Sequence, residues 1–287
     1  MPPPPPPPLP PRPSSPPLNH PKPPVFDHLF SNTNSTYLHN SYGQTTKNLA
    51  SMSHHRSSFR LSTWELSSLV TPFPLVDEAC KKHGFFLVIN HGVSEELINE
   101  AHKNMDLFFD MLLKEKQRAQ RKVGDYHGYA SSFTGRYSSK LPWKETLSFR
   151  YCDDGGSSNV VEEYLVSTMG EDFRQFGRIY QDYSDAMNTL SLRIIELLGM
   201  SLGVPPTHFR EFFEGNESIM RLNNYPPCLQ AHETLGTGRH RDPNSLTILH
   251  QDNVGGLQVF IDQQWHSILP NSQAFVVNIG DTFMVST

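Results

Sequence analysis

At 287 residues the chain can form one large domain or two small ones with ample core. Residues 1–64 hold five Lys/Arg against the single Asp27, so the remainder carries a balance of −9, and an acidic body argues against a nucleic-acid partner. No stretch approaches the ~18 apolar residues of a membrane span, and Met-Pro-Pro-Pro is no signal peptide.

The first 24 residues hold 15 of the 24 prolines, and such a segment can adopt polyproline II but buries no core. Pro10-Pro-Arg-Pro13 has the form that SH3- or WW-like grooves take, although plain proline runs also serve as disordered leaders. Ser31 to Thr63 is Ser/Asn/His/Thr-rich without an acid, loosely like a transit peptide but lacking its amphipathic periodicity. Residues 1–60 are therefore expected to be a disordered leader. Residues 61–165 are read as an N-terminal region of helices and strands, and 166–287 as a linking helix followed by a strand-rich domain.

Leu75–Lys82 reads as a helix end leading into Gly84-Phe-Phe-Leu-Val-Ile89, an apolar run of strand length. Ser94 with Glu95 and Glu96 starts the next helix, whose apolar face is Leu97, Ala101, Met105, Phe109 and Leu112, continuing to about Lys122. Gly124 to Lys140 reads as loop, Leu147–Tyr151 as strand and Asp153–Asn159 as solvated loop. The clearest helix runs from about Glu171 to Leu198 on a stripe from Phe173 to Leu197, with Gly199 stopping it. After Gly215 the strands are short and closely spaced: Ser218–Asn223, Ser245–Leu249, Gly256–Ile261, Trp265–Ile268 and Ala274–Ile279. This texture predicts an antiparallel sandwich or barrel with helices packed outside. Cys80, Cys152 and Cys228 are widely spaced and odd in number, and read as free thiols of a reducing, cytoplasmic compartment.

His240-Arg-Asp242 is the most chemical feature. Imidazole and carboxylate at i and i+2 of an extended segment point to the same side and can converge on one cation, two thirds of a 2-His-1-carboxylate triad. A Gly-rich turn from Gly236 delivers the pair toward a strand, and Asn223-Asn-Tyr225-Pro-Pro-Cys228 lies one strand earlier. His250 and His266 lie at strand ends and read as satisfied or exposed histidines, and His54-His55 as solvated.

Several segments resemble the plant 2-oxoglutarate/Fe(II)-dependent dioxygenases, and among them the gibberellin 20-oxidase branch. They are Ala79-Cys-Lys-Lys-His-Gly-Phe-Phe-Leu-Val-Ile-Asn-His-Gly92, Glu115–Gly124, Gly128-Tyr-Ala-Ser-Ser-Phe-Thr-Gly135, Asn224-Tyr-Pro-Pro-Cys228, Ser245-Leu-Thr-Ile-Leu-His-Gln-Asp252, Gly255–Phe260 and Asn278-Ile-Gly-Asp-Thr-Phe-Met284. Leu141-Pro-Trp-Lys-Glu-Thr-Leu-Ser-Phe149 is the stretch most particular to that branch. The resemblance implies a mixed α/β fold with a double-stranded β-helix (jelly-roll) core, here incomplete, and flanking N-terminal helices. It makes His240 and Asp242 ligands of Fe(II), and Tyr225 with Asn223 contacts of the cosubstrate 2-oxoglutarate. Trp143, Lys144 and Glu145 match the motif associated with the gibberellin substrate; the alternative makes Trp143 a core anchor and Lys144/Glu145 a surface pair. The implied activity is successive oxidation and removal of carbon 20 of a gibberellin precursor, with ascorbate as a reductant, in a cytoplasmic monomer that engages neither nucleic acid nor membrane.

The resemblance also sets expectations at the two ends. The family's second iron-binding His and an Arg-x-Ser that grips 2-oxoglutarate would fall beyond Thr287, so the chain is expected to lack its third metal ligand and to leave a sheet edge open. Arg239 and Arg241 stand where relatives carry Pro and a small residue. A non-catalytic, truncated paralogue that binds partners through its Pro-rich leader is the competing expectation.

Overall fold

The computed structural model describes residues 36–43, 63–65, 73–131, 142–153, 159–228 and 235–286. The proline-rich leader and its groove-docking motif lie outside them. The elements run β1 (Thr36–Gly43), β2 (Thr63–Glu65), α1 (Phe73–Lys82), β3 (Phe85–Ile89), α2 (Glu95–Phe109), α3 (Leu113–Lys116), β4 (Gly128–Ser131), β5 (Glu145–Cys152), α4 (Val160–Met169) and α5 (Arg174–Ser201). They continue with α6 (Pro206–Phe213), β6 (Glu217–Tyr225), β7 (Leu246–Gln251), β8 (Gln258–Ile261), β9 (Gln264–Ser267), β10 (Ala274–Ile279) and α7 (Asp281–Ser286).

Eight strands form one sheet in the order β2-β3-β10-β7-β1-β6-β5-β4, and β8 pairs with β9 in a separate hairpin. Side chains alternate across a strand, so each strand contributes to two environments. One face carries Leu147, Phe149, Met220, Leu222, Leu246, Ile248 and Val277, all buried in the main core against the helices. On the other face Leu249 and Val276 pack under the hairpin with Val259, Ile261 and Ile268. This second face is apolar under β8–β9 and polar beside β5 and β6.

Helix α5 is the spine of the helical layer. Phe176, Tyr180, Tyr183, Met187, Leu190 and Ile194 are buried along the stripe read from the sequence, and Phe149 of the sheet meets Tyr180 at 5.4 Å between rings. Its glycines serve close approach. A methyl group at Gly177 would stand 2.9 Å from the Glu162 backbone of α4, and one at Gly199 would stand 3.2 Å from the Phe209 ring of α6. Gly199 therefore seats α6 inside the last turn, and the helix runs on to Ser201.

Helix α2 starts as expected, with the Ser94 hydroxyl accepting from Leu97 N. It stops earlier than its periodicity suggests. The buried stripe is Ile98, Ala101, Met105 and Phe108, whereas Leu112 is 78 % exposed because the chain turns at Asp110. Helices α4 and α6 add to the elements read from the sequence, and β4 lies within the predicted loop from Gly124 to Lys140. Strand β1 falls inside the expected leader and pairs in parallel with both β6 and β7.

An imidazole pair ties α2 to β7. His250 Nε2 donates to Ser272 O at 3.0 Å, which leaves Nδ1 to accept from His102 Nε2 at 2.7 Å. Burial pushes His102 down to about 4, with neighbouring His250 adding, and burial also lowers His250. Between the ordinary histidine value of 6.5 and about 4, the unfolded chain binds protons that the folded chain refuses. Stability is therefore complete above 6.5 and declines as pH falls toward 4. The thermal midpoint is expected to drop between pH 7 and 5, and the drop should be shallower in His102→Gln, which removes one of the two titrations; equal slopes in scanning calorimetry would contradict this.

Candidate functional site

The site lies where β5, β6, β7 and β10 turn their polar residues away from the helices. On β6 the alternation places Arg221, Asn223 and Tyr225 together, and the register puts Thr146 opposite Asn223 and Ser148 opposite Arg221. Beyond β1, on the β7–β10 pair, Thr247 stands opposite Asn278. Asn223 and Ser148 are fully buried; Tyr225 and Arg221 are half-buried.

The Gly-rich turn brings the fourth side of the site across. Gly236 passes against the Tyr225 ring, where a methyl group would stand 2.7 Å from a ring carbon. Thr237 then receives the Lys144 ammonium at 3.0 Å and lies 3.1 Å from the Tyr225 hydroxyl. Lys144 also stands over the Tyr225 ring, 6.0 Å from its centre. Two residues the expectation marked unusual are accommodated: Arg239 stacks 4.1 Å from the centre of Phe260 in the hairpin, and the exposed Arg241 lies 4.0 Å from Asp281.

His240 and Asp242 sit at the mouth of this arrangement. His240 Nδ1 donates to Gly238 O at 2.8 Å, so in the neutral ring Nε2 carries the lone pair. That nitrogen lies 3.4 Å from Asp242 Oδ1. Two donors each ~2.1 Å from one cation, at right angles, stand about 3 Å apart, so the pair fits two positions on a divalent metal. The hydrogen bond to Asp242 raises the His240 pKa, the Gly238 carbonyl adding to it while burial and Lys144 oppose. Among the described residues no cluster of three or more His, Cys, Asp or Glu could hold a metal ion, so the third ligand is not found there. His250 is not a substitute, because its ring is held by His102 and Ser272.

The expected substrate residues part company. Lys144 faces the site, and burial, with Arg221 and Arg121 nearby, lowers its pKa to about 8. Both guanidinium groups donate to Ser148 Oγ, Arg121 at 2.9 Å and Arg221 at 3.1 Å. Three cations thus converge on one side, a setting in which an incoming carboxylate relieves mutual repulsion. Glu145, the next residue, points to the opposite face. Its carboxylate takes the Lys116 ammonium at 2.8 Å, the Tyr129 hydroxyl and Asn224 Nδ2 at 3.1 Å. It is 6 % exposed, so it is not half of a surface pair with Lys144; strand alternation separates the two. Trp143 is half-buried and braces the loop after β6, its indole N–H donating to Pro226 O at 2.9 Å. Arg221 and Thr237 were missed from the sequence, although the i, i+2, i+4 spacing of Arg221, Asn223 and Tyr225 was there to be read.

Residues 73–166 match the family model described as non-haem dioxygenase in morphine synthesis N-terminal, and residues 216–287 match the 2OG-Fe(II) oxygenase superfamily. Gibberellin 20 oxidase 1 of Arabidopsis thaliana is 64% identical over 218 residues, 76% of this chain and 58% of that protein. Gibberellin 20 oxidase 2 of the same plant is 65% identical over 210 residues, 73% of this chain and 56% of that protein. The chain thus spans just over half the length of these curated relatives. Among solved structures, JOX2 in complex with 2OG, Fe and JA superposes with a TM-score of 0.70 at 29% identity, covering 80% of this chain and 67% of that one. The Arabidopsis thaliana auxin dioxygenase AtDAO1 with 2-oxoglutarate gives 0.66 at 26% identity, covering 79% and 82%.

The buried ion pair behind the site yields a direct expectation. Glu145→Ala leaves the Lys116 ammonium, whose side chain is 7% exposed, without its carboxylate, and breaking such a pair costs about 3–5 kcal/mol. Denaturant unfolding should show a loss of that order, and a loss under about 1 kcal/mol would mean that solvent reaches the pair.

Proposed function

This chain belongs to the 2OG-Fe(II) oxygenase superfamily, and from that premise we propose that it serves 2-oxoglutarate-dependent oxidation of a gibberellin precursor, with successive oxidation and removal of carbon 20. The observation that carries the reading is the convergence of His240, Asp242, Tyr225 and Lys144 at one mouth of the sheet, inside the residues matched by the two family models.

In this reading His240 Nε2 and Asp242 Oδ1 hold Fe(II), and Asn223 and Tyr225 line the place of 2-oxoglutarate. Bound Fe(II) and 2-oxoglutarate supply oxidising power from dioxygen, with succinate and CO2 as the cosubstrate's products and ascorbate as a reductant. The chain's own residues then bind and orient. Lys144, with Arg221 beside it, offers charge to a substrate carboxylate, while Thr237 connects Lys144 to the Tyr225 hydroxyl. Burial of the Tyr225 phenol raises its pKa, so it stays a neutral donor. Arg239 on Phe260 links the ligand-bearing turn to the β8–β9 hairpin, closing one side of the mouth.

The reading includes a cytoplasmic monomer. Cys80, Cys152 and Cys228 are free thiols, and among the described residues no helix is long and apolar enough to cross a membrane.

Binding and turnover test it separately. A charged hydrogen bond is worth about 1.5–3 kcal/mol, so Lys144→Ala and Arg221→Ala should each weaken binding of a gibberellin precursor by roughly tenfold or more in calorimetric titration. Affinity should also fall as pH rises through about 8, where Lys144 loses its proton, and Lys144→Arg should abolish that fall. Failure of the parent chain to bind a precursor would overturn the substrate assignment. With two metal donors described, slow succinate release from 2-oxoglutarate is expected; rapid release abolished by His240→Ala would show a third donor outside the described residues.

A further inference from the structure

The Asp242 carboxylate is held from behind. Its Oδ2 accepts a hydrogen bond from Thr247 Oγ1 at 2.7 Å and another from Asn278 Nδ2, also at 2.7 Å. Thr247 and Asn278 are cross-strand partners in the antiparallel β7–β10 pair, 3% and 9% exposed. The two donors are therefore fixed by the sheet rather than by a loop.

The Thr247 hydroxyl has one proton and acts in a set direction. Asn244 Nδ2, itself buried, donates to Thr247 Oγ1 at 2.9 Å and to Leu246 O at 3.1 Å. With its oxygen accepting from Asn244, the hydroxyl spends its proton on Asp242. The backbone around the carboxylate is clamped as well. Asp281 N donates to Asp242 O at 2.9 Å, Gly280 N to Ser245 O at 3.0 Å and Thr282 N to Asn244 O at 3.2 Å. Gly280 admits no side chain, since a methyl group there would overlap the Asn244 carbonyl.

These contacts hold one carboxylate oxygen, and the other stands 3.4 Å from His240 Nε2. Rotating the carboxylate would break two short hydrogen bonds made by buried donors, which is costly where water does not replace them. We infer that Thr247 and Asn278 are positioning residues that present Asp242 to a divalent metal as a one-oxygen ligand, with Asn244 setting the direction of the Thr247 hydroxyl. The inference rests on the metal reading of His240 and Asp242, and neither Thr247 nor Asn278 touches the metal in it.

Mn(II) is a suitable probe, because its free-ion paramagnetic resonance signal falls on binding and needs no turnover. The titration uses the full chain as parent, Thr247→Val, Thr247→Ser and Asn278→Leu. Loss of an outer partner typically weakens metal affinity 10–100-fold. Thr247→Val and Asn278→Leu should each weaken Mn(II) binding by about tenfold or more, whereas Thr247→Ser, which keeps the hydroxyl, should stay near the parent. Circular dichroism reports the folded fraction, and affinity is compared per folded molecule, so a merely structural role would move the melting curve and leave that affinity alone. Parent-like affinity in folded Thr247→Val and Asn278→Leu would overturn the positioning role while leaving the metal site standing. Absence of Mn(II) binding in the parent would overturn the metal reading and this inference with it.

Discussion

The two-residue repeat of the strands is the constraint on which the site depends. In β5 it sends Glu145, Leu147 and Phe149 into the helical layer and Thr146 and Ser148 to the other side. In β6 it does the same with Leu222 and Asn224 against Arg221, Asn223 and Tyr225. A one-residue slip of either strand would bury an arginine among the helices and turn leucine toward the pocket. Packing of the apolar face therefore enforces the register of the polar one. The core specifies the site without touching it.

Burial of charge follows the same division. Behind the sheet, Glu145 and Lys116 are compensated by each other, by Tyr129, by Asn224 and by the Phe109 carbonyl, so a fully enclosed ion pair is tolerated. In front of it, Lys144, Arg121 and Arg221 crowd one another, and burial together with the two neighbouring guanidinium groups lowers the Lys144 pKa. The first arrangement is closed and structural; the second favours an arriving anion. Adjacent residues, Lys144 and Glu145, thus belong to different regions of the protein.

The loop carrying His240 and Asp242 is not precise by itself, since His240 is 58% exposed in its side chain. Precision comes from what surrounds it. Thr247 and Asn278 reach it from two adjacent strands, the start of α7 fastens its backbone, and Gly236 lies on Tyr225 at its base. An exposed imidazole on a rigid frame is the arrangement that the proposed metal role requires, because an entering ion must find its donors already oriented.

The sequence by itself determined the family. His240-x-Asp242 is local, its extended spacing suffices to turn both side chains one way, and the matched segments around it named the family and the cosubstrate class. It also determined the α5 stripe from Phe176 to Ile194 and the Ser94 start of α2, because helix periodicity and capping are short-range properties. The length of α2, the presence of α4 and α6, and the pairing of β1 with β6 and β7 needed tertiary contacts, which override local propensity. So did the opposite fates of Lys144 and Glu145 and the recruitment of Arg221, Thr247 and Asn278. Each of these depends on which strand lies beside which, and in what register, and long-range pairing decides that where local pattern cannot.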